Sequence, residues 1–221
     1  KVYDDSLISQ YSSGLSPTLD GGYIFINDYD IIKIDSLGNE EWILDNDSLF
    51  RSVKQTTDSG YIYFGYKRPK DSLGVTTNRY VVLRKTDEQG IEEWYKTYNF
   101  DFGNYWVNGV KQTADGGYIM LGCTAMHNNG MTDVFLFKLD SQGDSTWVRT
   151  YGGGANEWAG SVMLMKDGGY LVSAETNSYG NGLGGKPNAW LIRTNSVGDT
   201  LWTRTHGGIS GETARVQIQT N

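Results

Sequence analysis

A four-fold internal repetition constrains this chain more than any other feature. Each copy sets out a Gly-Tyr hairpin, a strand carrying a basic residue near its end, an Asp/Asn-x-x-Gly turn and a tryptophan, always in that order. The copies run from Gly21-Gly22-Tyr23 to Trp42, from Ser59-Gly60-Tyr61 to Trp94, from Gly116-Gly117-Tyr118 to Trp147 and from Gly168-Gly169-Tyr170 to Trp202. A unit of roughly 50 residues cannot bury its apolar face alone, so successive copies must stack side by side.

Within a copy the pattern has the period of strands. A short first strand such as Ser52-Val53-Lys54-Gln55-Thr56 or Gly109-Val110-Lys111-Gln112-Thr113 meets a tight Asp-Gly or Asp-Ser-Gly turn. The glycine there supplies the positive φ of the hairpin, and the aspartate bonds back to the turn amides. The second strand, Tyr118-Ile119-Met120-Leu121-Gly122 or Tyr170-Leu171-Val172-Ser173-Ala174, is apolar enough to lie between two neighbouring sheets. The third strand carries Lys33, Lys85, Lys138 or Arg193 two places before Asp35, Asp87, Asp140 or Asn195. Three residues beyond each of these come Gly38, Gly90, Gly143 and Gly198, the pattern of a type I turn with a G1 bulge. Four residues further, Trp42, Trp94, Trp147 and Trp202 open a fourth strand.

Four short antiparallel strands per copy give an all-β chain, a β-propeller of four-stranded blades. The blades fall near 14–45, 50–99, 107–151 and 159–206 in a single domain over 1–221. The four tryptophans, with the turn residues Asp35, Gly38, Asp87, Gly90, Asp140 and Gly143, are assigned structural roles, the indoles filling the gap between adjacent blades. After the fourth blade, 209–221 holds the first strand of a fifth unit in Ala214-Arg215-Val216-Gln217-Ile218-Gln219-Thr220-Asn221. That strand either joins the first blade, whose own first strand contains Pro17, or meets further blades or a partner chain. Larger rings being commoner than rings of four, the second reading is favoured.

Composition agrees with this class. With 38% hydrophobic and 13% aromatic residues among 221, the chain can build a substantial core, and 29 glycines against 3 prolines suit many tight turns. A net charge of -7 without a local basic cluster argues against nucleic acid and against an anionic membrane surface. No apolar run approaches the roughly 18 residues of a membrane span, so direct membrane insertion is not expected. The single cysteine, Cys123, excludes an internal disulfide framework and reads as a small core residue. His127 and His206 have no nucleophile or metal-ligand companion at recognisable spacing, and no cofactor is expected.

The Asp-x-x-Gly-x-x-x-Trp element resembles a one-residue-shorter form of the tryptophan-docking motif of quinoprotein-type propellers. The Thr-x-Asp-Gly-Gly-Tyr-Ile element and Tyr151-Gly152-Gly153 resemble repeat proteins that Bacteroidetes bacteria export to the cell surface, a likeness running from about residue 14 to the end. The resemblance implies a secreted or surface-exposed module. The quinone-dependent enzymes carry vicinal cysteines and a larger ring, and this chain departs from them in both.

Recognition is expected where the loops vary. The connections between second and third strands, and from one blade to the next, share the face opposite the stereotyped turns, and they differ widely in length: Lys67 to Asn78, Met126 to Met131 and Asn177 to Pro187 are long, while little stands at Asn27-Asp28. Tyr105, Trp106, Glu157, Trp158, His127 and Tyr179 are the candidate ligand-binding residues on that face, with no catalytic residue and no metal ligand assigned. Trp106 and Trp158 occupy matching places in successive copies. Two readings stand for their rings: a surface that stacks on a sugar while Asn and Asp bond its hydroxyls, or filler between blades. The expected function is a non-catalytic, exported module that binds a protein or glycan on the cell surface. The alternatives are a polysaccharide hydrolase or lyase, and a structural component of a surface or secretion assembly.

Overall fold

The computed structural model describes residues 15–27, 30–44, 49–67, 80–99, 105–124, 131–180 and 186–208. Among these, all regular structure is β, in four antiparallel sheets of four sequential strands. The first blade comprises β1 (Ser16–Pro17), β2 (Tyr23–Asn27), β3 (Asp30–Ile34) and β4 (Glu40–Leu44), the second β5 (Leu49–Gln55), β6 (Tyr61–Lys67), β7 (Tyr80–Thr86) and β8 (Glu92–Tyr98). The third holds β9 (Tyr105–Gln112), β10 (Tyr118–Thr124), β11 (Asp133–Leu139) and β12 (Ser145–Tyr151), the fourth β13 (Glu157–Leu164), β14 (Tyr170–Thr176), β15 (Asn188–Thr194) and β16 (Thr200–His206). The chain is therefore all-β, built of four-stranded blades of the β-propeller type. Pro17, which donates no ladder hydrogen bond, stands in a first strand only two residues long. The strand expected in 209–221 lies outside the described residues. Contacts group the chain into two compact units, Lys1–Asn99 and Phe100–Asn221, each holding two blades.

Every blade is locked at one end by a buried cation. Lys33 and Lys85 lie almost wholly out of solvent, yet each ammonium is neutralised by the aspartate of the preceding Gly-Tyr hairpin, at 2.8 Å from Asp20 and 2.9 Å from Asp58. Lys138 reaches Asp115 at 2.9 Å, and Arg193 pairs with Asp167. Each lysine also donates to the carbonyl that follows it: Lys33 to Ile34 at 3.1 Å, Lys85 to Thr86 at 2.9 Å and Lys138 to Leu139 at 2.9 Å. Glu41 and Glu93 add a second carboxylate in the first two blades. A charge this deep is tolerated only because its donors are used up in this way.

The same cation explains the hairpin's two small residues. Ser59 has φ 69, the left-handed conformation that Gly21, Gly116 and Gly168 adopt in the other blades. The next residue, Gly60, needs no unusual φ; it needs space, since a Cβ there would collide with the Thr86 carbonyl oxygen and the Lys85 ammonium. Around this cluster the Lys33 ammonium and the Thr18 hydroxyl hold the Asp20 carboxyl down at about 2. Burial works against ionisation of Asp115, but hydrogen bonds from Thr113 and Lys138 outweigh it and hold that carboxyl at about 2 as well.

Tryptophan joins one blade to the next inside each unit. Trp42 lies over the second blade's turn, where a Cβ on Gly90 would stand 3.2 Å from the indole, and its Nε1 donates to the Glu88 carbonyl at 3.2 Å. Its ring meets Tyr61 edge-on with centroids 5.6 Å apart. In the second unit Trp147 repeats this against Gly198 and Tyr170, with centroids 6.0 Å apart, and burial pushes the Tyr170 phenol up to about 12. Behind these plugs lie the cores: Ile24, Ile26 and Ile31 against Phe50, Val53, Tyr63 and Val82 in one unit, and Ile119, Leu121, Val134 and Leu136 with Val162, Val172 and Ile192 in the other. Trp94 is half-buried in β8, whereas Trp202 in β16 is 39% exposed.

The Asp35, Asp87 and Asp140 side chains shape the turns on which the indoles rest. Asp35 Oδ1 accepts from the amides of Leu37 and Asn39, both at 2.8 Å, and Asp87 and Asp140 repeat the pattern. Gly38, Gly90 and Gly143 close the turns at φ 82, 81 and 76, their amides donating to the carbonyls of Asp35, Asp87 and Asp140 at 3.1, 3.2 and 3.2 Å, as a type I turn with a glycine bulge requires, and the ladder shifts by one residue further on, at Glu41, Glu93 and Thr146.

Candidate functional site: an aromatic rim beside strand bulges

The first strands of three blades carry an extra residue: Arg51 in β5, Asn108 in β9 and Gly160 in β13 fall between the paired positions. A bulge twists its strand and re-aims the residues before it. Two of the opposing second-strand positions are glycine for a steric reason: a Cβ on Gly65 would strike the Leu49 carbonyl, and one on Gly122 would strike that of Trp106. The residue two places before each bulge, Leu49, Trp106 or Trp158, ends exposed, with Trp106 at 48% and Trp158 at 39%. Equivalent positions in successive repeats thus hold large apolar side chains out in water.

In the second unit the two bulges are tied together. The Asn108 side-chain amide donates to the Ala159 carbonyl at 2.7 Å, and the Ala159 amide donates to the buried Cys123 Sγ at 2.9 Å. Burial pushes the Cys123 thiol up, so it stays neutral and serves as a packing atom and weak acceptor. Asn108, Trp158, Ala159, Gly160, Glu175 and Pro187 surround an open cleft of about 480 Å3. Its lining brings together one indole, a side-chain amide, a carboxylate and the backbone of the bulge in β13.

Glu157 does not reach that surface, and its expected place among the ligand-facing residues is corrected. Neighbours along a strand point to opposite faces, so exposing Trp158 turns Glu157 inward, where it is fully buried. Its carboxylate accepts from Thr176 Oγ1 at 2.8 Å, from the Ser178 amide at 3.2 Å and from the Gly153 amide at 3.0 Å. It clamps the segment before β13 to the one after β14. Tyr179 reinforces the clamp, its hydroxyl donating to the Gly152 carbonyl at 2.7 Å and its ring lying 5.2 Å from that of Trp190. The Tyr105 backbone pairs with Thr124, while the Tyr105 side chain and His127 lie outside the described residues. His206 is exposed on β16.

Asn108, Gly160, Glu175 and Pro187 were not among the residues the sequence nominated. A signal was present: Gly122 in the middle of an apolar second strand announces a close backbone approach, and so a bulge in the strand opposite.

No protein-family model and no curated protein matches this chain. Solved structures do resemble it. A protein of unknown function from Bacteroides caccae is 10% identical, with 88% of this chain and 81% of that one covered and a TM-score of 0.39. A thermostable family-43 glycoside hydrolase is 11% identical, with 89% and 72% covered and a TM-score of 0.49. BamB from Moraxella catarrhalis is 10% identical, with 89% and 77% covered and a TM-score of 0.26. Likenesses at this level leave the chemistry to the residues of this chain.

Proposed function

We propose that this chain is a non-catalytic propeller module, exported to the cell surface, that binds a glycan on its aromatic, bulge-bearing rim. The supporting observation is the exposed indole of Trp158 beside a cleft of about 480 Å3 that also offers the Asn108 amide and the Glu175 carboxylate. An indole face matches the apolar face of a pyranose, and the flanking amide and carboxylate suit its hydroxyls. Trp106, at the same repeat position, extends the rim. The surface location rests on the resemblance of the repeat to exported Bacteroidetes proteins.

A glycan array identifies the ligand, and titration calorimetry then compares the native chain with Trp158→Ala. Loss of one stacking platform is expected to weaken binding about tenfold, or about 1.4 kcal/mol, with the circular dichroism unchanged. Unaltered affinity in Trp158→Ala contradicts the proposal. A reducing-sugar assay on the bound glycan must stay flat; release of new ends would replace binding by cleavage.

A further inference from the structure

The plug-and-socket contact that joins blades within each unit is left unfilled on two described faces, and the two faces are complementary. In the first blade the socket is open. Tyr23 is 40% exposed, whereas Tyr61 and Tyr170 at the same repeat position, covered by Trp42 and Trp147, are exposed by only 1% and 2%. A Cβ on Gly38 would meet nothing within 4 Å, whereas Gly90 and Gly198 are covered by those indoles. Phe25 is half-buried where Tyr63 is fully buried.

In the fourth blade the plug is bare. Trp202 stands in β16 as Trp42 stands in β4 and Trp147 in β12, each paired with the buried cation of its third strand. Arg204 lies over the Trp202 ring at 5.9 Å, as Arg149 lies over Trp147 at 5.9 Å. Arg149 goes on to pair with Asp199, just past the turn glycine of the next blade. The place of Asp199 is taken in the first blade by Asn39, which presents an amide oxygen to an incoming guanidinium. Leu171 and Leu191 occupy the positions of Ile24 and Ile31; the isoleucines are fully buried against the second blade, and the leucines are only half-buried.

We propose that these two faces are one interface between copies of this chain, the fourth blade of one molecule docking on the first blade of the next. The occupant follows from continuity: the same knob, tyrosine and turn already form this contact twice within one molecule, and one chain carries both unused halves. The interface is heterologous, so it generates a closed ring or a filament.

Sedimentation of the 221-residue chain at micromolar concentration tests this. The expected species is larger than the 24.6 kDa of one chain. Trp202→Ala and Tyr23→Ala each alter an exposed side chain, and each is expected to remain folded by circular dichroism and to sediment as a monomer. Mixed in equal amounts they must form a dimer, because the first keeps an intact socket and the second an intact plug. Leu191→Lys, which places a charge on the plug face without touching an indole, must also give a monomer. A native chain that sediments as a monomer, or a mixture that fails to pair, overturns the proposal. A monomer would assign the two faces to another polypeptide segment or to each other.

Discussion

At the residue scale, the chain spends its small residues on a buried charge. Gly60 gives the Lys85 ammonium room to reach Asp58 and the Thr86 carbonyl, and the arrangement recurs around Lys33, Lys138 and Arg193. Gly60→Ala forces the ammonium or the carbonyl aside and is expected to cost about 3 kcal/mol, a value reserved for broken buried networks. Urea denaturation checks it; a loss near that of an ordinary surface substitution would show that the ammonium does not need the space. The aspartates add an acid dependence. Asp20 and Asp115 sit at about 2 in the folded chain against an ordinary 3.8, so between these values the unfolded chain binds more protons. The stability they confer is complete above about pH 4 and drains away as the pH falls toward about 2. Urea midpoints across that window are expected to fall, and to fall less in the double variant Asp20→Asn, Asp115→Asn; a parallel fall in both would contradict the assignment.

At the scale of the element, β13 gives adjacent residues opposite duties. Glu157 holds three donors from the flanking segments, whereas Trp158 faces water. Glu157→Ala strands buried amides and is expected to cost about 3 kcal/mol in thermal unfolding, while Trp158→Ala stays within about 0.5 kcal/mol. Equal losses would mean that the indole is packed rather than offered. The strands, turns and indoles of the repeat were legible in the sequence because tight turns demand particular residues: Gly at positive φ, Asp as the acceptor for turn amides. The role of the basic residue was not. Its spacing from Asp35 or Asp87 was visible, but its partner is the aspartate of the preceding hairpin, brought close only by the ladder. The site was half legible. Trp106 and Trp158 stood out as matching positions, yet Glu157 was placed on the same face as Trp158 because both were assigned to a connection between blades; they lie within β13, where neighbours face opposite sides.

At the scale of the whole molecule, repetition means that one contact is used again and again, and its unequal filling along the chain carries the argument. Trp42 covers a glycine turn and a tyrosine of the next blade, and Trp202 covers neither within the described residues. Such repeats are stabilised by nearest-neighbour interfaces, so the value of a tryptophan depends on whether a neighbour receives it. The most direct test compares guanidinium unfolding of Trp42→Ala and Trp202→Ala, at a concentration low enough to keep the chain monomeric. Trp42→Ala is expected to lose about 3 kcal/mol, as a packed tryptophan does when truncated, and Trp202→Ala to stay within about 0.5 kcal/mol of the native chain. Equal losses at the two positions would contradict the docking of each blade by its tryptophan.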